Sequence, residues 1–164
     1  MQSYDFTFRS VWRIPAELTE IWDTVGKVSQ YPAWWPGIEK VDVLQGPELP
    51  ISVGTKAHYV VASPFYRLQY QTEVKEFATG KYILADAHGD LKGTGKWTFH
   101  VLPTETMAVF DWQVRVEPTV LRVLSRLAPA RAVMHYFHNQ LMDAGEKGLK
   151  KLHNESLLKQ KLPA

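Results

Sequence analysis

The sequence predicts an α+β fold in which a curved antiparallel sheet lies against a long carboxy-terminal helix. Much of residues 3–117 alternates between apolar and polar side chains, the period-2 pattern of strands with one buried face. Short connections containing Gly and Pro separate these segments, which favours antiparallel neighbours. Residues 131–154 change to a three- and four-residue spacing of apolar side chains, which indicates a helix.

The amino-terminal part predicts one strand followed by helical segments. The strand spans Ser3–Ile14, and Pro15 ends it. Helical spacing then extends over Ala16–Val25. The segment Val28–Gly37 is too rich in proline for a regular helix, so we expect a short helix or turns leading into a loop. The expected buried face of the first strand comprises Tyr4, Phe6, Phe8, Trp12 and Ile14.

Five or six further strands are expected after this segment, for a sheet of about six to seven strands. A Pro-rich loop, Gly46–Gly54, follows the first of them. On the strand Tyr82–His88 both faces carry apolar residues, so the sequence does not determine which face points inward. The candidate strands are Ile38–Leu44, Thr55–Ala62, Tyr66–Phe77, Tyr82–His88, Thr94–Leu102 and Thr106–Glu117. Their expected inward residues include Ala57, Tyr59, Val61, Tyr66, Leu68, Tyr70, Thr72, Val74, Trp97, Phe99, Val101, Ala108, Phe110, Trp112, Val114 and Val116.

Two helices are predicted at the carboxy-terminal end, a short one over Val120–Leu127 and a long one over Arg131–Asn154. In the long helix, Gly145 lets another backbone come close. A helix laid across a sheet either completes a solid core or covers a cavity, and we expect the cavity. The apolar stripe of this helix comprises Met134, His138, Leu141, Met142, Gly145, Leu149 and Leu152.

The composition fits one domain, residues 1–164, with residues 156–164 expected to fray. The chain has no cysteine, which excludes disulfides, thiolate catalysis and Cys-zinc sites. The amino-terminal residues lack the unbroken apolar core of a signal peptide, and no stretch is apolar enough to span a membrane, so we expect a cytoplasmic protein. Basic residues are scattered except near the end, where they predict a solvated helix face, not a nucleic-acid site: Lys147, Lys150, Lys151, Lys159 and Lys161.

Several local motifs resemble the START/Bet v 1-like (SRPBCC) superfamily, which has the helix-grip fold. The motifs are Tyr31-Pro-Ala-Trp-Trp-Pro-Gly37, Val41-Asp-Val-Leu-Gln-Gly46, Gly89-Asp-Leu-Lys-Gly-Thr-Gly-Lys-Trp97, Asp111-Trp-Gln-Val114 and His138-x-x-x-Met142-x-x-Gly145-x-x-Gly148-Leu149. In particular, the order of the elements and these motifs resemble bacterial proteins of the polyketide cyclase/dehydrase or lipid-transport type. The resemblance implies a cavity for apolar or aromatic molecules between the sheet and the long helix. Some members are enzymes, whereas many carry or sense a ligand.

Two positions depart from the pattern of that superfamily. Phe137 precedes the helix histidine where an Asn is expected, and Asn139 follows it where an acidic residue is common. If a polar cluster around this histidine carries chemistry in other members, this chain lacks part of it.

His138 is the best candidate for a chemical role, because it lies in an apolar stripe and a buried imidazole needs a partner. It can act as a general acid/base, donate to a ligand carbonyl, or serve as a core histidine bonded to a tyrosine or a backbone carbonyl. Asp86 and His88 share one face of a strand. They form an acid/base pair beside the cavity if that face is concave, and lie at the surface otherwise.

Ten residues are predicted to contact a ligand: Tyr59, Tyr70, Trp97, Phe99, Phe110, Trp112, Met134, His138, Leu141 and Met142. No metal is expected, since Asp143 points away from His138 and His135 supplies only a second ligand. No cofactor is expected either. The pattern Gly93-x-Gly95 lacks the third glycine of a dinucleotide site and lies in a strand.

Three functions fit these features. The first is binding of an apolar or aromatic small molecule between sheet and helix, held mostly by burial. The second is a cyclase or dehydratase in which His138, with Asp86, His88 or Tyr59, moves a proton at a ketone. The third is a protein-interaction module. The sequence leaves the ligand, the reaction and the oligomeric state open.

Overall fold

The computed structural model describes residues 5–63, 66–124 and 129–162. A seven-stranded antiparallel sheet has the order β1-β7-β6-β5-β4-β3-β2, so that β1 and β2 form its edges. The strands are β1 (Asp5–Ile14), β2 (Ile38–Gln45), β3 (Lys56–Ala62), β4 (Arg67–Ala78), β5 (Tyr82–Gly89), β6 (Leu91–Val101) and β7 (Thr106–Val116). The helices are α1 (Leu18–Gly26), α2 (Tyr31–Trp34), α3 (Pro118–Leu124) and α4 (Ala130–Lys161), with a 3-10 turn at Val28–Gln30 before α2. The predicted α+β helix-grip fold is confirmed.

The strand predictions agree with the structure to within a few residues, with one larger difference at β6. This strand begins at Leu91 and not at Thr94, because Asp90 alone connects it to β5. Gly89 makes this tight connection possible with a φ of 133°, in a region that other residues rarely adopt. The predicted residues Ser3 and Tyr4, and the end of the predicted short helix at 125–127, lie outside the described residues.

The concave face of the sheet carries the apolar residues that alternation predicts, with one exception. Val101 is 67% exposed. Trp22 of α1 packs edge-on against Phe99, with ring centroids 5.4 Å apart, and Val101 lies one strand repeat beyond this contact. The helical layer therefore stops short of the end of β6.

The buried face of α4 also ends differently from the prediction. Leu152 is 37% exposed, whereas the neighbouring His153 is buried. The buried positions continue from Leu149 by a step of four, and His153 Nδ1 lies 2.8 Å from Glu20 Oε1 on α1. The regular helix extends to Lys161, through part of the tail that the sequence predicts to fray.

Two glycines let α4 approach the segment around α2. A Cβ on Gly148 would lie 1.8 Å from the Trp34 carbonyl oxygen, so the close backbone approach occurs at this residue. At Gly145 the neighbours are side chains instead, and a Cβ there would lie 2.5 Å from Trp35 and 2.7 Å from Trp12. The prediction that Gly145 admits a backbone is therefore wrong. It leaves room for two indole rings, and Trp35 Nε1 donates to the Leu141 carbonyl at 2.8 Å.

We expect Gly148→Ala to lower the free energy of unfolding by about 1–3 kcal/mol, because the added methyl group collides with the Trp34 carbonyl. In an open helix the same change would stabilise by about 1 kcal/mol. Urea unfolding followed by circular dichroism measures the difference. The exposed neighbour Lys147→Ala is the control and is expected to change stability by less than about 0.5 kcal/mol. A stabilised Gly148→Ala variant would contradict the packing of α4 on α2.

Candidate functional site

A cavity of about 200 Å³ lies between the concave face of the sheet and α4. Strands β3 to β7 supply one side, and the amino-terminal half of α4 supplies the other. Residues of the loop 46–54, among them Glu48 and Ile51, line the cavity as well. Most lining residues are apolar or aromatic, which is typical of sites that bind small apolar molecules.

Small residues in the middle of the sheet make room for the large rings that border this cavity. Ala85 on β5 pairs with Gly95 on β6, and both line the cavity. The rings of Tyr70 on β4 and Trp112 on β7 have centroids 5.9 Å apart although two strands separate them. A Cβ on Gly95 would lie 2.5 Å from the Trp112 ring. The two large rings thus lean over the small residues from either side.

Alternation alone misses this feature, although a signal for it is present in the sequence. The sequence-based prediction considers Gly93-x-Gly95 only as a dinucleotide-binding motif, which it rejects. It also leaves undetermined which face of β5 points inward. Small residues at neighbouring inward positions of adjacent strands, flanked by strands with large inward rings, are the pattern that indicates a close approach of those rings to the sheet.

Nine of the ten predicted ligand-contact residues line the cavity. They are Tyr59, Tyr70, Trp97, Phe110, Trp112, Met134, His138, Leu141 and Met142. The tenth, Phe99, is not among the lining residues, because its ring packs against Trp22 of α1. The prediction did not include many of the other lining residues, among them the aromatic residues Phe8, Tyr31 and Trp35. Tyr31 donates its hydroxyl proton to the Val25 carbonyl at 2.6 Å, so that hydroxyl is already satisfied.

His138 lies between the cavity and β1. Its ring stacks on Phe8, with centroids 4.1 Å apart and planes inclined by 17°. Its Nε2 lies 3.3 Å from Ser10 Oγ, so its partner is a serine hydroxyl and not the tyrosine or carbonyl considered from the sequence. Burial, and then the nearby His135, lowers the pKa of His138 to about 4. The ring is therefore neutral at pH 7.

Asp86 and His88 lie on the convex face of the sheet. The inward residues of β5 are Ile83, Ala85 and Ala87, of which Ile83 and Ala85 line the cavity. Asp86 Oδ2 lies 3.9 Å from Lys75 Nζ on the outer surface, and His88 is exposed. The interpretation of this pair as an acid/base couple beside the cavity is therefore wrong.

Two tyrosines on neighbouring strands, Tyr59 on β3 and Tyr70 on β4, line the cavity. The rings of Tyr59 and Tyr70 stack with centroids 5.2 Å apart and an inclination of 8°. Burial raises the pKa of both phenols well above the ordinary value, so both stay protonated at neutral pH. The Tyr70 hydroxyl has no hydrogen-bond partner among the described residues and remains a donor to whatever enters the cavity.

The described residues contain no group of three or more His, Cys, Asp or Glu side chains that could hold a metal ion. Asp143 is exposed on α4, away from the cavity. Within the same ranges of the chain, none of the helices combines the length and apolar character that a membrane span requires.

The lowered pKa of His138 predicts a loss of stability in acid. Because the folded state disfavours the charged ring, its contribution is fully present above about pH 6.5 and is lost as the pH falls toward 4. Between pH 7 and 4.5, wild type is expected to lose about 2 kcal/mol more unfolding free energy than His138→Gln. Urea unfolding at each pH measures this difference. His100→Gln, at an exposed position, is expected to behave like wild type, and equal losses in wild type and His138→Gln would contradict the prediction.

Comparisons with known proteins give the family. The family model described as polyketide cyclase / dehydrase and lipid transport matches residues 5–153. None of the curated protein sequences matches this chain significantly.

Solved structures with the same fold have low sequence identity to this chain. A protein of Thermus thermophilus is 15% identical, with a TM-score of 0.72 over 89% of this chain and 95% of its own. The Zhui aromatase/cyclase of Streptomyces sp. R1128 is 14% identical, with a TM-score of 0.71 over 94% and 96%. A START superfamily protein of Mycobacterium smegmatis is 17% identical, with a TM-score of 0.63 over 89% and 98%. At these identities the likeness concerns the fold alone. With the family model matching residues 5–153, the chain belongs to the polyketide cyclase / dehydrase and lipid transport family.

Proposed function

We propose that the protein binds an apolar or aromatic small molecule, lipid- or polyketide-like in character, in the cavity between the sheet and α4. The observation that carries the proposal is the cavity of about 200 Å³ among aromatic side chains. The family description names lipid transport together with cyclase and dehydrase activity, which agrees with this role.

Burial supplies the main binding energy in this proposal. A bicyclic aromatic ligand that loses about 200 Å² of apolar surface to the cavity gains about 5 kcal/mol before the entropic cost of association. Dissociation constants for such simple ligands are therefore expected near about 1 mM, and not below about 0.2 mM. Directed hydrogen bonds from Tyr70 and His138 would add orientation.

The alternative is a cyclase or dehydratase that uses His138 as its acid/base. The position of this imidazole in the cavity lining favours it. Two features argue for binding instead. With a pKa near 4, His138 is a weak base at pH 7, and Asp86 and His88 face away from the cavity. If the protein is an enzyme of this type, His138→Gln abolishes turnover of a confirmed ketone substrate while binding persists.

Filling the cavity tests the proposal. We expect Ala85→Phe to weaken binding of the neutral fluorescent probe N-phenyl-1-naphthylamine by about tenfold or more, because the new ring occupies space that the ligand needs. Fluorescence titration measures the affinity. Leu84→Phe is the matched control, since it adds a ring on the same strand but on the opposite face, and it is expected to bind like wild type.

Circular dichroism checks that both variants fold. Equal affinity of wild type and Ala85→Phe would show that the probe binds elsewhere and would contradict the proposal. Native mass spectrometry of freshly purified protein gives a second readout, because it detects a co-purified small molecule and the number of subunits together. A stoichiometric protein partner without any small molecule would favour the interaction module.

A further inference from the structure

The cavity lining contains very little charge, and the little it contains is acidic. Among the described lining residues there is no Lys, Arg or Asp. Apart from the tyrosines, the ionisable members are Glu48 and His138. Glu48 accepts hydrogen bonds from the Ser29 backbone N–H at 2.7 Å and from Ser29 Oγ at 2.8 Å, and these contacts are exposed to solvent. Glu48 therefore lies at the rim of the cavity, and both of its carboxylate oxygens already accept hydrogen bonds.

This distribution disfavours a charged ligand. A carboxylate or phosphate drawn into the cavity would lose its hydration and meet no cationic side chain among the described lining residues. At the rim it would also meet the negative charge of Glu48. A ligand ammonium group would find its one carboxylate already engaged with Ser29. An uncharged molecule incurs neither cost.

Among the polar groups that line the cavity, the phenol of Tyr70 can donate a hydrogen bond to a ligand. Tyr70 presents a protonated hydroxyl without a partner among the described residues, beside the stacked ring of Tyr59 and the tilted ring of Trp112. Because this hydroxyl faces the cavity, an acceptor atom on a ligand can take its hydrogen bond, whereas a purely apolar group there would leave it unpaired.

We propose that the cavity selects an uncharged aromatic or alicyclic ligand that carries a hydrogen-bond acceptor, such as a ketone oxygen, and that Tyr70 donates to this acceptor. The inference rests on the proposed binding function and adds the ligand class and the residue that recognises it. The same argument disfavours any ligand whose charged group must enter the cavity, such as a fatty-acid anion bound with its carboxylate inside.

Four ligands with one ring system test the proposal at pH 7.5. These are 2-acetylnaphthalene, 2-ethylnaphthalene, 2-naphthoate and the ammonium form of 1-(2-naphthyl)ethylamine, with affinities measured by isothermal titration calorimetry. The ketone is expected to bind most tightly. The ethyl compound is expected to bind about fivefold to tenfold more weakly, since it leaves the Tyr70 hydroxyl unpaired. The naphthoate and the ammonium compound are expected to bind at least about 100-fold more weakly.

Tyr70→Phe separates the hydrogen bond from the shape of the cavity. The variant is expected to lose about fivefold to tenfold in affinity for the ketone and to keep its affinity for the ethyl compound. Tyr136→Phe removes a hydroxyl from an exposed tyrosine on α4 and is the control, with no change for either ligand.

The outcomes distinguish the two proposals. Naphthoate or ammonium binding as tight as that of the ketone would overturn the selection for an uncharged ligand, while the binding function would stand. An unchanged ketone affinity in Tyr70→Phe would overturn the role of Tyr70. Failure of all four ligands to bind would overturn the proposed function and this inference with it.

Discussion

The contact on which the site depends is the close packing of the middle and carboxy-terminal part of α4 against three tryptophans. Gly145 and Gly148 remove the side chains that would keep the helix at a distance, so Trp12, Trp34 and Trp35 lie directly against it. Gly145 is four residues after Leu141, and its missing Cβ opens the Leu141 carbonyl to the indole of Trp35. Further along, His153 joins α4 to Glu20 of α1. The helix is thereby fixed at one end, and its preceding turns extend over the concave sheet.

Those preceding turns meet a part of the sheet that cannot fill the space below them. Ala85 and Gly95 lie opposite each other at the centre, and the rings of Tyr70 and Trp112 come from the strands outside this pair. The cavity thus arises from a difference along one helix. Where α4 faces Trp12, Trp34 and Trp35 it packs closely. Where it extends over the centre of the sheet, a cavity bordered by Ala85 and by the rings of Tyr70 and Trp112 remains. The residues involved can be read from the sequence. Which of them lie next to each other depends on the register of the strands.

Much of the fold follows from the sequence, because alternation and helical spacing are strong signals. The alternation of Phe6, Phe8, Trp12 and Ile14 gives β1 its buried face correctly. Alternation fails where both faces are apolar, as in β5, whose inward side depends on its pairing with β6. It also cannot show how far the helical layer reaches, which explains the exposure of Val101 and the separation of Phe99 from the cavity. At the end of α4, the polarity of a side chain does not predict whether it is buried. His153 is buried because it has a carboxylate partner on α1, whereas Leu152 is exposed.

Three indoles line the cavity: Trp35, Trp97 and Trp112. Trp22 does not line the cavity, and its ring packs on Phe99 instead. Indole emission responds to the polarity and the quenching groups next to the ring. A molecule bound in the cavity changes the surroundings of these rings. The protein therefore carries an intrinsic optical reporter of occupancy, and it needs no added label.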